Sequence, residues 1–147
     1  MDVLPEATET VSCVLLADRH YDLTEAVRGL LETMFDSVVM VADEASLLDS
    51  AGRLRPEMAI VDLSLAHDRS LGWLRALRQR CPELTVIVLS VHDEPSVRRL
   101  AKEAGADGFV LKHSIVTDLL PSIEDARRRG RDAKAGGGET PTAPPGG

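Results

Sequence analysis

Five short apolar runs, each separated from the next by an amphipathic stretch, constrain this 147-residue chain more than any other feature. The runs are VSCVLLAD (11–18), SVVMVAD (37–43), EMAIVDL (57–63), TVIVLSV (85–91) and DGFVLK (107–112). They are brief and rich in β-branched and aliphatic residues, the pattern of strands buried in a parallel sheet. Between the first two, TEAVRGLLETMF (24–35) sets Ala26, Val27, Leu30, Leu31 and Met34 at the 3.6-residue period of an amphipathic helix. EASLLDSAGRL (44–54) reads as a second helix, and LGWLRALRQRC (71–81) as a third, stopped by Pro82. EPSVRRLAKEAGA (94–106) has Pro95 near its start and Gly105 near its end, the expected asymmetry of a helix. A last helix is expected from about Thr117 or Asp118 to Gly130, with Pro121 in or beside the first turn, where its missing N–H costs least. Five such β–α units predict an α/β domain, a five-stranded parallel sheet with helices on both faces.

With 44% hydrophobic and 28% charged residues the chain can build one core, expected over 11–131. Residues 1–10 read as a flexible N-terminus. Residues 132–147, dominated by Gly, Pro, Thr and Ala, read as a disordered tail. The net charge of −7 argues against a nucleic-acid-binding surface, which needs clustered Lys and Arg. The basic run Arg127-Arg128-Arg129 falls where the last helix ends and suits its dipole. Cys13 and Cys81 suggest no disulfide framework and a reducing compartment. No basic-then-apolar leader and no stretch of about 20 apolar residues is visible, so a soluble cytoplasmic protein away from membranes is expected.

Function is suggested by where the strands end. In an open parallel sheet, sites form at the carboxyl ends of the strands. Four of the five strands place a polar residue there: Asp18, Asp62, Ser90 and Lys112. An isolated Asp62 would read as a turn or helix cap. Two carboxylates, a hydroxyl and an ammonium on one rim are instead the parts needed to hold Mg²⁺, form an acyl phosphate and sense it. His20, His67, His92 and His113 are scattered over different loops with no tight ligand spacing, and read as surface or loop histidines rather than a zinc site. Trp73, at helical spacing with Leu74 and Leu77, reads as packing rather than a ligand platform.

At LLADRH, VDLSL, VIVLSVHDE and EAGADGFVLK, in this order and spacing, the sequence resembles the receiver domain of two-component response regulators, the (βα)5 flavodoxin/CheY-like fold. The resemblance covers about residues 11–130 and is nearest in phrasing to receivers of the NarL type. It implies a stand-alone receiver in which Asp62 is the phosphoacceptor and Asp18, Asp62 and Ser64 form the metal set. Lys112 is then the counter-ion of the phosphoryl group, and Ser90 and Phe109 are the switch residues. It further implies phosphoryl transfer from a histidine kinase or phosphotransfer protein. Output would go to a protein partner over helix 94–106, strand 107–112 and the last helix, without DNA binding, and a homodimer is left open. Such a chain is no enzyme beyond catalysing its own phosphorylation and dephosphorylation.

The sequence departs from the family pattern at several places. Arg19 stands where a second acid usually follows Asp18, so weak Mg²⁺ binding is expected. Ala66, Ser70, Val91 and His113 also differ from the usual residues. The alternative is a pseudo-receiver that binds partners without phosphorylation. A third class, a haloacid-dehalogenase-type enzyme, would want an acid where Ser64 stands. Asp68 is the nearest competing acceptor, in a loop with no cation expected opposite.

Overall fold

The apolar runs form the strands β1 (Cys13–Ala17), β2 (Ser37–Val41), β3 (Met58–Asp62), β4 (Thr85–Ser90) and β5 (Gly108–Leu111) of one sheet. The computed structural model describes residues 12–66 and 70–139. All neighbouring strands are parallel, in the order β2-β1-β3-β4-β5. Helices α1 (Tyr21–Leu31), α2 (Glu44–Leu54), α3 (Gly72–Arg80), α4 (Pro95–Ala104) and α5 (Ile115–Glu139) follow the strands in turn. The expected α/β architecture is therefore present, and its strand order reverses direction between β1 and β3.

Alternate residues of each strand feed two cores, as the two-residue period of a strand dictates. Leu15, Ala17, Ala59, Val61, Val86 and Val88 face α2 and α3, which contribute Leu47, Ala51, Trp73, Leu74 and Leu77. Val14, Leu16, Met58, Ile60, Ile87 and Leu89 face α1 and α5, which contribute Val27, Leu31, Leu119 and Ile123. Trp73 is fully buried in the first core, the packing role its spacing suggests. Each fully buried large aliphatic residue contributes about 1.5–3 kcal/mol. Helix α4 buries just Ala101 and Ala104, so it is held to the sheet by far less apolar surface than α3.

Arg78 ties the α3 end of the molecule to the α4–β5 turn. Its guanidinium donates to the carbonyls of Pro82, Leu84 and Gly105 and pairs with Asp107 at 2.8 Å. Gly105 adopts φ +120°, and a Cβ there would lie 3.2 Å from Arg78 Nε, so both conformation and space call for glycine.

Helix boundaries differ from the sequence expectation at three places. Helix α1 begins at Tyr21 rather than Thr24, because His20 is fixed by the Asp18 carboxylate and the chain turns helical at once. Helix α5 begins at Ile115, directly after a 3₁₀ turn at Lys112–Ser114. Pro121 thus sits inside the helix instead of in its first turn, forfeiting a bond to the Thr117 carbonyl, while Ile115, Leu119 and Ile123 anchor the segment in the core. The same helix continues to Glu139, so backbone expected to be disordered from 132 is helical as far as that residue. Ala133 and Ala135 favour this extension, whereas each of Gly136–Gly138 opposes it by about 1 kcal/mol. Cys13 and Cys81 are free thiols. Among the described residues no helix is long and apolar enough to cross a membrane.

Candidate functional site

The reversal of strand order between β1 and β3 opens a crevice at the carboxyl ends of those strands. Asp18 follows β1 and Asp62 closes β3, so the topology sets the two carboxylates on either side of it. The Asp18 backbone N–H donates to the Val41 carbonyl, which fixes the loop to β2. Both acids are buried, at 4% and 2% exposure. Buried carboxylates need a cation, and Lys112, just beyond β5, supplies one. Its Nζ lies 3.3 Å from Asp18 Oδ2 and 3.3 Å from Asp62 Oδ2.

Ser64 closes on the same carboxylate in a 3₁₀ turn after β3. Its backbone N–H donates to Asp62 Oδ1 at 3.2 Å and its hydroxyl to Asp62 Oδ2 at 2.9 Å. A group that binds Asp62 Oδ2 shares that oxygen with the Ser64 hydroxyl and the Lys112 ammonium. Ser90 ends β4 on the same rim, but its hydroxyl is engaged by its own loop. It donates to the His92 carbonyl at 3.1 Å and accepts from the His92 N–H at 2.9 Å. Phe109 on β5 is half-buried against the α2–α3 core, and the Arg98 guanidinium of α4 stacks 4.5 Å from its ring centroid. Arg98 also reaches Asp93, in the loop after Ser90, at 3.6 Å.

His20 enters the site as well, although the sequence placed it among unrelated loop histidines. Its backbone N–H donates to Asp18 Oδ1 at 2.8 Å. Its Nδ1 lies 3.2 Å from the same oxygen and 3.5 Å from Asp62 Oδ2. The available signal was its position two residues after a strand-end acid, close enough for the loop to fold back onto that carboxylate. Arg19, between the two, is half-buried. Val91 and His113 are exposed, and His67 and Asp68 lie outside the described residues.

Asp18, His20 and Asp62 each bring a ligand atom within 4.8 Å of the others. Asp18 Oδ2 is buried and accepts no hydrogen bond, its contact with Lys112 being ionic. For Mg²⁺, which takes oxygen donors, the set offers two carboxylates.

The family model for the response regulator receiver domain matches residues 14–124. The chain is 36% identical over 122 residues to the nitrate/nitrite response regulator protein NarP of Escherichia coli, covering 82% of this chain and 56% of NarP. It thus spans about half the length of the curated relatives it matches. Among solved structures, the signal receiver domain of the response regulator NarL from Mycobacterium tuberculosis is 26% identical with a TM-score of 0.69, over 81% of this chain and 98% of that one. A LuxR-family two-component response regulator from Aurantimonas is 25% identical with a TM-score of 0.71, over 79% of this chain and 84% of that one.

Proposed function

The chain belongs to the response regulator receiver domain family of two-component signalling, and on that premise we propose that Asp62 accepts a phosphoryl group from a histidine kinase or a phosphotransfer protein. Phosphorylation on aspartate is general for the family, which binds Mg²⁺ through acidic residues and generally does no other catalysis. The observation that carries the assignment is the Lys112 ammonium held between two buried carboxylates at the mouth of the crevice. An Asp62 oxygen attacks the phosphorus of a phosphohistidine, the O–P bond forms, the P–N bond breaks, and the imidazole leaves. The charge spread over the equatorial phosphoryl oxygens needs cations. Lys112 supplies one of them; Asp18 and Asp62, with Ser64 beside them, would hold a divalent ion that would supply the other when bound.

The Ser90 hydroxyl then exchanges its bonds to His92 for a phosphoryl oxygen. That exchange draws in the loop carrying Asp93, which is linked through Arg98 to the ring of Phe109. Helix α4 is weakly buried and free to follow, so the signal reads out as a population shift over α4, β5 and α5 to a protein partner. The receiver segment, on this reading, is cytoplasmic and makes no DNA contact of its own, in keeping with the net charge of −7. Arg19 favours a second reading, a pseudo-receiver that engages its partner without phosphorylation.

Incubation with acetyl phosphate and a divalent cation, followed by intact mass, tests the assignment. One added phosphoryl group is expected in the wild type and none in Asp62→Asn. Label that persists in Asp62→Asn overturns the acceptor. No label from either acetyl phosphate or a phosphorylated phosphotransfer protein selects the pseudo-receiver.

A further inference from the structure

The crevice offers one imidazole nitrogen beside two carboxylates, and we propose that it is a mixed nitrogen–oxygen site for a divalent transition-metal ion, with His20 as a direct ligand, rather than a magnesium site. The inference deepens the phosphoacceptor reading and rests on it for the location. Three observations carry it. The first is the donor chemistry. Replacement of the second acid by Arg19 leaves two carboxylates for an ion that prefers an all-oxygen shell, and Mg²⁺ has little affinity for imidazole. Imidazole suits Zn²⁺ and its first-row neighbours, and the affinity of a given site rises from Mn²⁺ to Cu²⁺ and falls again at Zn²⁺.

The second observation is spacing. With metal–ligand bonds of about 2.1 Å, two ligand atoms stand about 3.0 Å apart at a right angle and about 3.4 Å apart at the tetrahedral angle. Nδ1 of His20 lies 3.2 Å from Asp18 Oδ1 and 3.5 Å from Asp62 Oδ2, so His20 needs little movement to share an ion with either acid. The two carboxylate oxygens, within 4.8 Å of one another, must close toward about 3.0–3.4 Å to share an ion. The third is the state of Asp18. Its Oδ2 is buried and accepts no hydrogen bond, its contact being the Lys112 ammonium at 3.3 Å. The Asp18 side chain is 1% exposed and that of His20 59% exposed, so the site has a fixed floor and an open entrance. Lys112 balances one of the two carboxylate charges and leaves the other for the cation.

Isothermal titration of the full chain with MgCl₂, MnCl₂ and ZnCl₂ tests this, with His92→Asn and His113→Asn as controls for scattered surface histidines. Zn²⁺ is expected to bind at least about tenfold tighter than Mg²⁺. His20→Asn is expected to lower Zn²⁺ affinity about tenfold or more and to leave Mg²⁺ affinity within about threefold. Asp62→Asn should weaken both ions. Pulsed EPR of bound Mn²⁺ should show a ¹⁴N coupling that disappears in His20→Asn. Because His20 also stands at the start of α1, Arg19→Asp gives an independent arm. By restoring an oxygen donor it should narrow the preference for Zn²⁺ over Mg²⁺.

Mg²⁺ binding as tight as Zn²⁺, Zn²⁺ binding that survives His20→Asn, or a loss that follows His92 or His113 instead would each overturn the proposal. Labelling of Asp62 is scored separately by mass. A chain that takes the label but binds metal independently of His20 refutes this inference alone. A chain that binds Zn²⁺ through His20 but takes no label refutes the phosphoacceptor reading alone.

Discussion

Replacing Lys112 by methionine removes the ammonium while keeping most of the side chain's length and apolar stem. In the wild type Nζ stands 3.3 Å from an oxygen of each carboxylate. At an effective dielectric of 20, one unit-charge pair at that distance is worth about 5 kcal/mol, so the two pairs together attract by about 10 kcal/mol. The two carboxylates oppose this, for their ligand oxygens lie within 4.8 Å of one another. At the same dielectric that repulsion is worth about 3.5 kcal/mol. Desolvating three charged groups costs several kcal/mol each, so the intact triad contributes close to nothing to stability. Its loss is another matter, because methionine leaves two carboxylates of 1% and 3% side-chain exposure facing each other without a cation.

The expected destabilisation of Lys112→Met is about 3–5 kcal/mol, below the Coulombic sum because water enters and the side chains spread. Asp62→Asn in the wild-type background should be neutral or stabilising, since it removes the repulsion and keeps Lys112 paired with Asp18. In the Asp62→Asn background the methionine variant should lose much less, a coupling of about 1.5–3 kcal/mol. Urea unfolding followed by the fluorescence of Trp73, the single tryptophan and fully buried, reads all four species of the cycle. Additivity within about 0.5 kcal/mol would show that Lys112 does not hold the two acids together, and the electrostatic account of the site would fall.

Two further outcomes follow from contacts outside the crevice. Arg78→Ala should cost about 2–4 kcal/mol in urea unfolding, because it strips a charged donor from three carbonyls and from Asp107. Arg78→Lys should recover less than half of that loss, as an ammonium cannot reproduce the fork, and full recovery would discount the hydrogen-bond account. Asp43 caps α2 by accepting from the Ser46 N–H at 2.7 Å, and this bond, aided by the Ser46 hydroxyl, holds its carboxyl below the ordinary carboxylate range. A depressed folded value means that the contribution is complete at neutral pH and is lost as pH falls through that value. The stability difference between wild type and Asp43→Asn, which caps without titrating, should therefore shrink on acidification; a difference independent of pH would exclude linkage at Asp43.

The sheet was legible because strands buried on both faces appear as continuous apolar runs, and a run such as TVIVLSV has few other ways to fold. Helix ends were less legible, since they depend on contacts remote in sequence. Nothing in the local pattern announces that Asp18 will fix His20 and start α1 three residues early. Nor does it announce that Ile115 will be drawn into the α1–α5 core and leave Pro121 in mid-helix. The acids and the lysine of the site stood out because strand ends on one rim converge whatever the details of the loops. Ser64 appeared in the expected metal set, but its two hydrogen bonds to Asp62 belong to the 3₁₀ turn that follows β3, which the sequence did not reveal.

Arg19 and His20 show why a change of residue type at one position does not settle the chemistry of a loop. Counted along the chain, Arg19 subtracts an acid and adds a positive charge, which argues for a weakened or absent metal site. In three dimensions the loop turns after Asp18 so that His20, two residues on, folds back and its Nδ1 lies 3.2 Å from Asp18 Oδ1 and 3.5 Å from Asp62 Oδ2. On the proposed metal reading, the donor that His20 adds beside the two acids is a nitrogen rather than an oxygen. Ligand type is one of the means by which a site selects among cations. Lys112 lies 3.3 Å from an oxygen of each acid, so on the proposed phosphoacceptor reading the charge on the equatorial phosphoryl oxygens would have one fixed partner and one exchangeable partner. On that reading, substitutions at residues 19 and 20 should alter which metal binds, whereas substitutions at 62 and 112 should alter whether Asp62 takes the label.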